Sequence, residues 1–124
     1  EVVQEVLMSN LRIYENELWI KQSAGKQMPF FKIFREDIIC VESDNVYLCF
    51  CTRLKDTPFI ITMKIKVFEQ AIQSLPAWSH FVRIHRSYIV NKHFIEKRTK
   101  ERVWLRQRCA HIDAMLPVSH PEVL

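Results

Sequence analysis

Phe81-Val82-Arg83-Ile84-His85-Arg86-Ser87-Tyr88-Ile89-Val90-Asn91 sets a basic, hydroxyl-bearing turn between two runs that read as strands. Val82 and Ile84 alternate with Phe81, Arg83 and His85 at the two-residue period of a half-buried strand. Tyr88-Ile89-Val90 then resumes with aromatic and β-branched residues. Arg86 and Ser87 fall at the junction. A guanidinium beside a hydroxyl on a short connection suits phosphate oxygens or the acceptor edge of guanine. Arg offers a planar fork of donors, and Ser a donor with little entropy to lose. The plainer alternative is an ordinary charged hairpin, since charge on surface turns is common.

Outward from this stretch, strand and turn signals alternate at intervals of about ten residues. Leu18 to Lys21, Phe30 to Phe34, Ile38 to Val41, Val46 to Thr52 and Phe59 to Thr62 read as strands. The turns between them fall at Gln22 to Lys26, which holds the only glycine, Gly25, at Ser43-Asp44-Asn45, and at Lys55 to Pro58. Between about residues 64 and 75 the period changes. Ile65, Phe68, Ile72 and Leu75 recur at three, four and three, with Ala71 beside them, so one amphipathic helix is expected there, closed by Pro76. Its apolar face reads as core. Helix-turn-helix recognition would need a second adjacent helix, whereas Phe81 to Ile95 and Val103-Trp104-Leu105 are strand-like, with a hairpin tip over Lys97 to Arg102. Residues 1–14 carry Val2, Val3, Val6 and Leu7 on helical spacing and read as an interdomain linker ahead of a domain over residues 15–124.

A chain of 124 residues with 48% hydrophobic content suits a single domain with one core. No apolar run approaches the ~20 residues that span a bilayer. The absence of an initiator Met and of a signal-peptide pattern leads us to expect a fragment of a longer protein. The net charge of +4 is unevenly spread. Residues 81–108 hold nine Lys or Arg against Glu96 and Glu101, giving +7, and the remainder sums to −3. A cationic block on a slightly acidic domain is the footprint of a polyanion binder, or else a ribbon charged against aggregation. Cys49 and Cys51 flank Phe50, Cys40 and Cys109 lack a neighbour in sequence, and no C-x-x-C occurs. His80, His85, His93, His111 and His120 lack zinc spacing. The thiols are therefore assigned to packing in a reducing, cytoplasmic setting.

The word around Arg86 resembles the signature of the LytTR DNA-binding domain family, the output domains of many bacterial response regulators, which carry a run like F-x-R-x-H-R-S-x-x-V-N. Arg35 to Asp44 is similar to the family's D-I-x-x-I-E-x-x segment, Met63 to Pro76 to its helix, and Leu116-Pro117-Val118-Ser119-His120 to its closing P-V-S-R. The motifs run in family order over about residues 15 to 124. The resemblance implies a mostly β fold, an elongated arrangement of short antiparallel sheets of about ten strands with the one helix. Such a domain would dock on DNA through loops in the major groove.

Three loops carry over residue by residue. The turn after the D-I-x-x-I-E segment places Asp44, Asn45 and Tyr47 near DNA, with Val46 where the family often has Asn before the Tyr. Asn45 also reads simply as a turn former. Arg86 matches the contacting position for base or phosphate, with Ser87 and Arg83 on phosphate. His85 is expected to hydrogen-bond within the turn and shape it, in preference to the alternative of contacting DNA directly. The third loop ends in Ser119 and His120, where His stands in place of the usual Arg and donates without its fork. Lys92, Lys97, Arg98, Lys100 and Arg102 would add sequence-independent phosphate attraction.

The implied partners are double-stranded DNA with repeated half-sites, a second copy of the domain on that DNA, and an upstream receiver or membrane segment. A transcriptional regulator, as in a two-component system, is the function this implies. Enzymatic readings fare poorly, because no Gly-rich phosphate loop, G-x-S-x-G, H-E-x-x-H or zinc cysteine pattern occurs, and no cofactor is implied. The competing reading is a basic β-ribbon that meets an acidic protein or an anionic surface without reading sequence. An RRM-type RNA binder lacks its glycine-bearing word.

Overall fold

In the computed structural model, which describes residues 5–22, 29–107 and 115–124, the alternating runs assemble into three antiparallel sheets. The first comprises β1 (Glu5–Leu7), β2 (Leu11–Tyr14), β3 (Glu17–Ile20) and β4 (Phe31–Phe34), in that order. The second holds β5 (Ile38–Asp44), β6 (Tyr47–Thr52), β7 (Phe59–Thr62), β8 (Phe81–His85) and β9 (Tyr88–Asn91), ordered β7-β6-β5-β9-β8. The third is β10 (Ile95–Arg98), β11 (Arg102–Leu105) and β12 (Met115–Pro117). One α-helix, α1 (Ile65–Gln73), lies between β7 and β8.

The middle sheet is covered on both faces. On one side Leu11, Ile13, Leu18 and Ile33 of the first sheet and Ile65, Phe68 and Ile72 of α1 pack with Val41, Leu48, Phe50 and Ile89. On the other, Ile39, Cys40, Cys51, Ile84 and Val90 pack with Val103, Leu105 and Leu116 of the third sheet. Double coverage explains why Ile38-Ile39-Cys40-Val41 is buried without alternation. Phe50, Phe68 and Trp78 form an edge-to-face series with centroids 5.2 and 6.4 Å apart. The Trp78 indole N–H is satisfied by the Tyr14 carbonyl at 2.7 Å.

Several expectations change in detail. The lead-in read as a helically spaced linker instead supplies β1 and β2 from residue 5 onward, because Leu11 and Ile13 alternate inward and are fully buried. The strands number twelve rather than about ten among the described residues, the three-residue β1 and β12 being too short for a periodic signal. The helix ends two residues before Leu75, where the Ser74 hydroxyl donates to the Ala71 carbonyl at 2.6 Å, and Pro76 opens a 3-10 turn. The run from Phe81 to Ile95 is broken at Lys92–Phe94 by another 3-10 turn capped by buried Asn91. Asn91 accepts from the His93 N–H at 3.0 Å and donates to the Ile38 carbonyl at 2.9 Å, tying β9 to β5.

Cys40, without a sequence neighbour, stands opposite Cys51 across β5 and β6. The turn around Gly25, together with Arg108, Cys109 and His111, lies outside the described residues. No helix among the described residues is long and apolar enough to cross a membrane.

Candidate nucleic-acid interface

Strand pairing brings two of the sequence-predicted loops to one end of the middle sheet. β5 pairs with both β6 and β9, with Glu42 opposite Tyr88, and the Ser43 N–H donates to the Ser87 carbonyl at 2.8 Å. The β5–β6 turn at residues 45–46 and the β8–β9 turn at 86–87 are therefore neighbours. Asn45 sits at φ 57, in the left-handed region that Asn tolerates better than branched residues. Asp44, Asn45 and Tyr47 are all exposed.

The third loop is docked by an irregularity in β8. The register runs from Arg83 opposite Ile89 to His85 opposite Tyr88, so Ile84 is an extra residue without a cross-strand partner. Its carbonyl instead accepts the N–H groups of Ser119 and His120, at 2.7 and 3.0 Å. The bulge thus joins exposed Ser119 and His120 to the strand that leads into Arg86.

The Arg86–Ser87 turn is braced on several sides. His85 Nδ1 accepts the Ser87 N–H at 3.1 Å, which requires that nitrogen to be unprotonated. Burial, with the nearby charges of Arg86, His120 and Arg83, lowers the His85 pKa and favours this neutral ring. Arg83 donates from Nη1 to Glu69 Oε1 at 2.8 Å and from Nη2 to the Arg86 carbonyl at 2.9 Å. The guanidinium of Arg86 itself is exposed and has no partner among the described residues.

The cationic block divides between two places. The tip between β10 and β11 touches the third loop, since the Val118 N–H donates to the Glu101 carbonyl at 2.8 Å. Thr99 holds that tip, its Oγ1 accepting from the N–H groups of Glu101 and Arg102 at 3.3 and 3.1 Å. Arg98 donates to the Leu124 carbonyl, Lys97 lies over the Trp104 ring at 4.9 Å, and Arg102 is 3.9 Å from Glu101. Lys100 is exposed. Lys92 lies elsewhere: it follows β9, four residues of about 3.3 Å each beyond the Arg86 turn, with its N–H on the His80 carbonyl at 2.9 Å. It is not brought together with the loops. At that far end the His80 and His93 rings stack at 4.5 Å, and burial, then His93 and Arg35, push His80 down to about 4.

Lys64 and Glu69 escaped the sequence reading. The Met63 N–H donates to the Val46 carbonyl at 3.2 Å, which sets exposed Lys64, just ahead of α1, at the loop end of the sheet. Only the non-local pairing of β6 with β7 and the Arg83 contact give these two residues a place.

A model of the LytTr DNA-binding domain matches residues 29–120. The chain belongs to the LytTr DNA-binding domain family. A solved structure, the LytTr DNA-binding domain of a Bacillus cereus protein described as a methyl-accepting/DNA response regulator, is similar in fold. Its TM-score is 0.55 at 18% identity, covering 82% of this chain and 85% of that one. A comparison with curated proteins returns no significant match. Membership of the family makes this LytTr domain a DNA-binding domain of transcription regulation.

Proposed function

We propose that this LytTr domain reads double-stranded DNA sequence-specifically by placing the loop end of its middle sheet in the major groove, as the output domain of a two-component regulator. The observation that carries the reading is Arg86: an exposed guanidinium, without a partner among the described residues, on a turn whose backbone is held by Arg83, His85 and β5. A donor fork on a rigid two-residue turn is preorganised for guanine O6 and N7, and such a turn fits a groove about 12 Å wide.

In this reading Ser87 donates to phosphate beside Arg86. Ser119 and His120, bonded to the same strand, form the second contact, and His120 donates singly where a fork would read two atoms. The turn at Asp44, Asn45 and Tyr47 approaches a further position, with Lys64 near it. Arg98, Lys100 and Arg102, on the tip contiguous with the third loop, attract the backbone irrespective of sequence, and Lys97 does so from its place over Trp104. Arg83, already engaged by Glu69 and the Arg86 carbonyl, supports the turn, and Lys92 contributes only at long range. Two copies of the domain are expected on repeated half-sites, in a protein that also carries a receiver or membrane segment.

Selection from a randomised duplex pool at physiological salt tests this. A compact repeated motif should be enriched and held at least ~10³-fold tighter than its scramble. Absence of enrichment, with affinity falling equally for every sequence as salt rises, would leave a polyanion-binding module without sequence readout.

A further inference from the structure

The orientation of the Arg86 side chain depends on what holds the Arg86 backbone. One of those supports reaches outside the strand pair. The Arg83 guanidinium spans two partners at once, Glu69 Oε1 at 2.8 Å and the Arg86 carbonyl at 2.9 Å. Glu69 belongs to α1, whose Ile65, Phe68 and Ile72 are fixed in the core by burial. The ion pair is itself mostly shielded, with side-chain exposures of 22% and 24%, which sets it apart from a solvent-exposed pair. The Arg83 Nε is buried as well. A planar guanidinium transmits position because its donors keep fixed angles to each other.

We propose that Glu69 and Arg83 are positioning residues for DNA readout. Through the chain Glu69, Arg83, Arg86 carbonyl, helix α1 sets the aim of the Arg86 side chain, and thereby base discrimination rather than general attraction. The inference rests on the reading above that Arg86 meets DNA. It gives Arg83 a different part from a phosphate contact. Binding phosphate would draw the guanidinium away from Glu69 and leave a partly buried carboxylate unpaired beside a polyanion.

Glu69→Gln separates the possibilities by sign. The variant removes a negative charge, so charge alone would tighten binding to every duplex. The relay instead predicts a loss of about 10-fold on the selected site, with scrambled DNA held as well as before or better. Arg83→Lys keeps the cation but lacks the fork that holds both partners. It should lower the ratio of selected to scrambled affinity, and in Arg83→Gln, which removes the cation, the salt slope should stay unchanged, whereas a lost phosphate contact would reduce that slope by about one. In an Arg86→Ala background the loss on the selected site from Glu69→Gln should vanish, leaving only the uniform charge effect, because Glu69 positions through Arg86.

Amide spectra of each variant establish that the core is intact. Glu69→Asp, which keeps the charge but shortens the reach, provides a second route to the same loss. An unchanged or improved ratio in both Glu69→Gln and Glu69→Ala, the second of which removes the acceptor altogether, overturns the proposal, as does a loss of equal size that persists without Arg86. A wild-type domain that binds selected and scrambled DNA alike would instead overturn the sequence-reading function itself.

Discussion

Replacing Arg86 by Ala should leave the fold intact and remove one base-pair preference. Among the described residues the Arg86 guanidinium has no partner, and only its carbonyl is engaged, by Arg83. Truncation at Cβ keeps that carbonyl, so stability should change by no more than about 0.5 kcal/mol, the usual range for a surface site. The loss therefore falls on the complex. One bidentate contact to guanine is worth about 1 to 3 kcal/mol, roughly 5- to 150-fold in affinity, felt on the selected site and not on its single-base variant at the contacted pair. Lys100→Ala is the control: exposed on the β10–β11 tip, it should weaken all sequences alike and lower the salt slope by about one. Fluorescence anisotropy at several salt concentrations, with selected, singly substituted and scrambled duplexes, reads both quantities. Equal losses on all three duplexes for Arg86→Ala would refute base reading and reduce Arg86 to a phosphate contact.

Other consequences concern the scaffold. Because burial, His93 and Arg35 push the His80 pKa from 6.5 to about 4, the unfolded chain takes up that proton more readily than the folded one. His85 is shifted in the same direction. Stability is then complete above about pH 6.5 and declines as pH falls toward 4, by about 1 kcal/mol for His80 once solvent screening of a partly buried ring is allowed for. Urea midpoints across that range should show the decline, and an equally steep decline in His80→Ala would contradict it. Asn91→Ala removes the partners of the Ile38 carbonyl and the His93 N–H and should cost about 1 to 3 kcal/mol in chemical denaturation; a change below 0.5 kcal/mol, the range of a surface site, would remove Asn91 from the scaffold. Cys49 is buried, and its thiol is pushed up to about 11 by burial and by the Glu42 and Asp44 carboxylates. Peptide mapping after brief exposure to an alkylating agent should find it unmodified in the native domain and modified in urea, since the thiolate is the reactive form.

Local periodicity carried much of the fold because most elements declare themselves over a few residues. Ile65, Phe68 and Ile72 announce α1, and Phe59 to Thr62 is read with its observed ends. Residues 5–14 went astray because β1 is three residues long, and Val2, Val3, Val6 and Leu7 satisfy a helical spacing as well. The order of the middle sheet, with β9 between β5 and β8, is a property of non-local pairing, and no local pattern encodes it. For that reason Arg86, Ser87 and Asn45 were legible as loop residues, whereas their adjacency was not. The bulge at Ile84 looks in sequence like ordinary alternation, yet it docks Ser119 and His120. Lys92 was grouped with the basic block by proximity in sequence, while β9 carries it to the opposite end of the sheet.

Amide shift mapping of the isotope-labelled domain against its selected duplex tests the location of the interface most directly. The account predicts that the largest perturbations fall on Asn45, Arg86, Ser87, Ser119 and His120, with Lys92 and His93 little moved. Perturbations centred on Lys92 and His93, with the Arg86 turn unaffected, would contradict it.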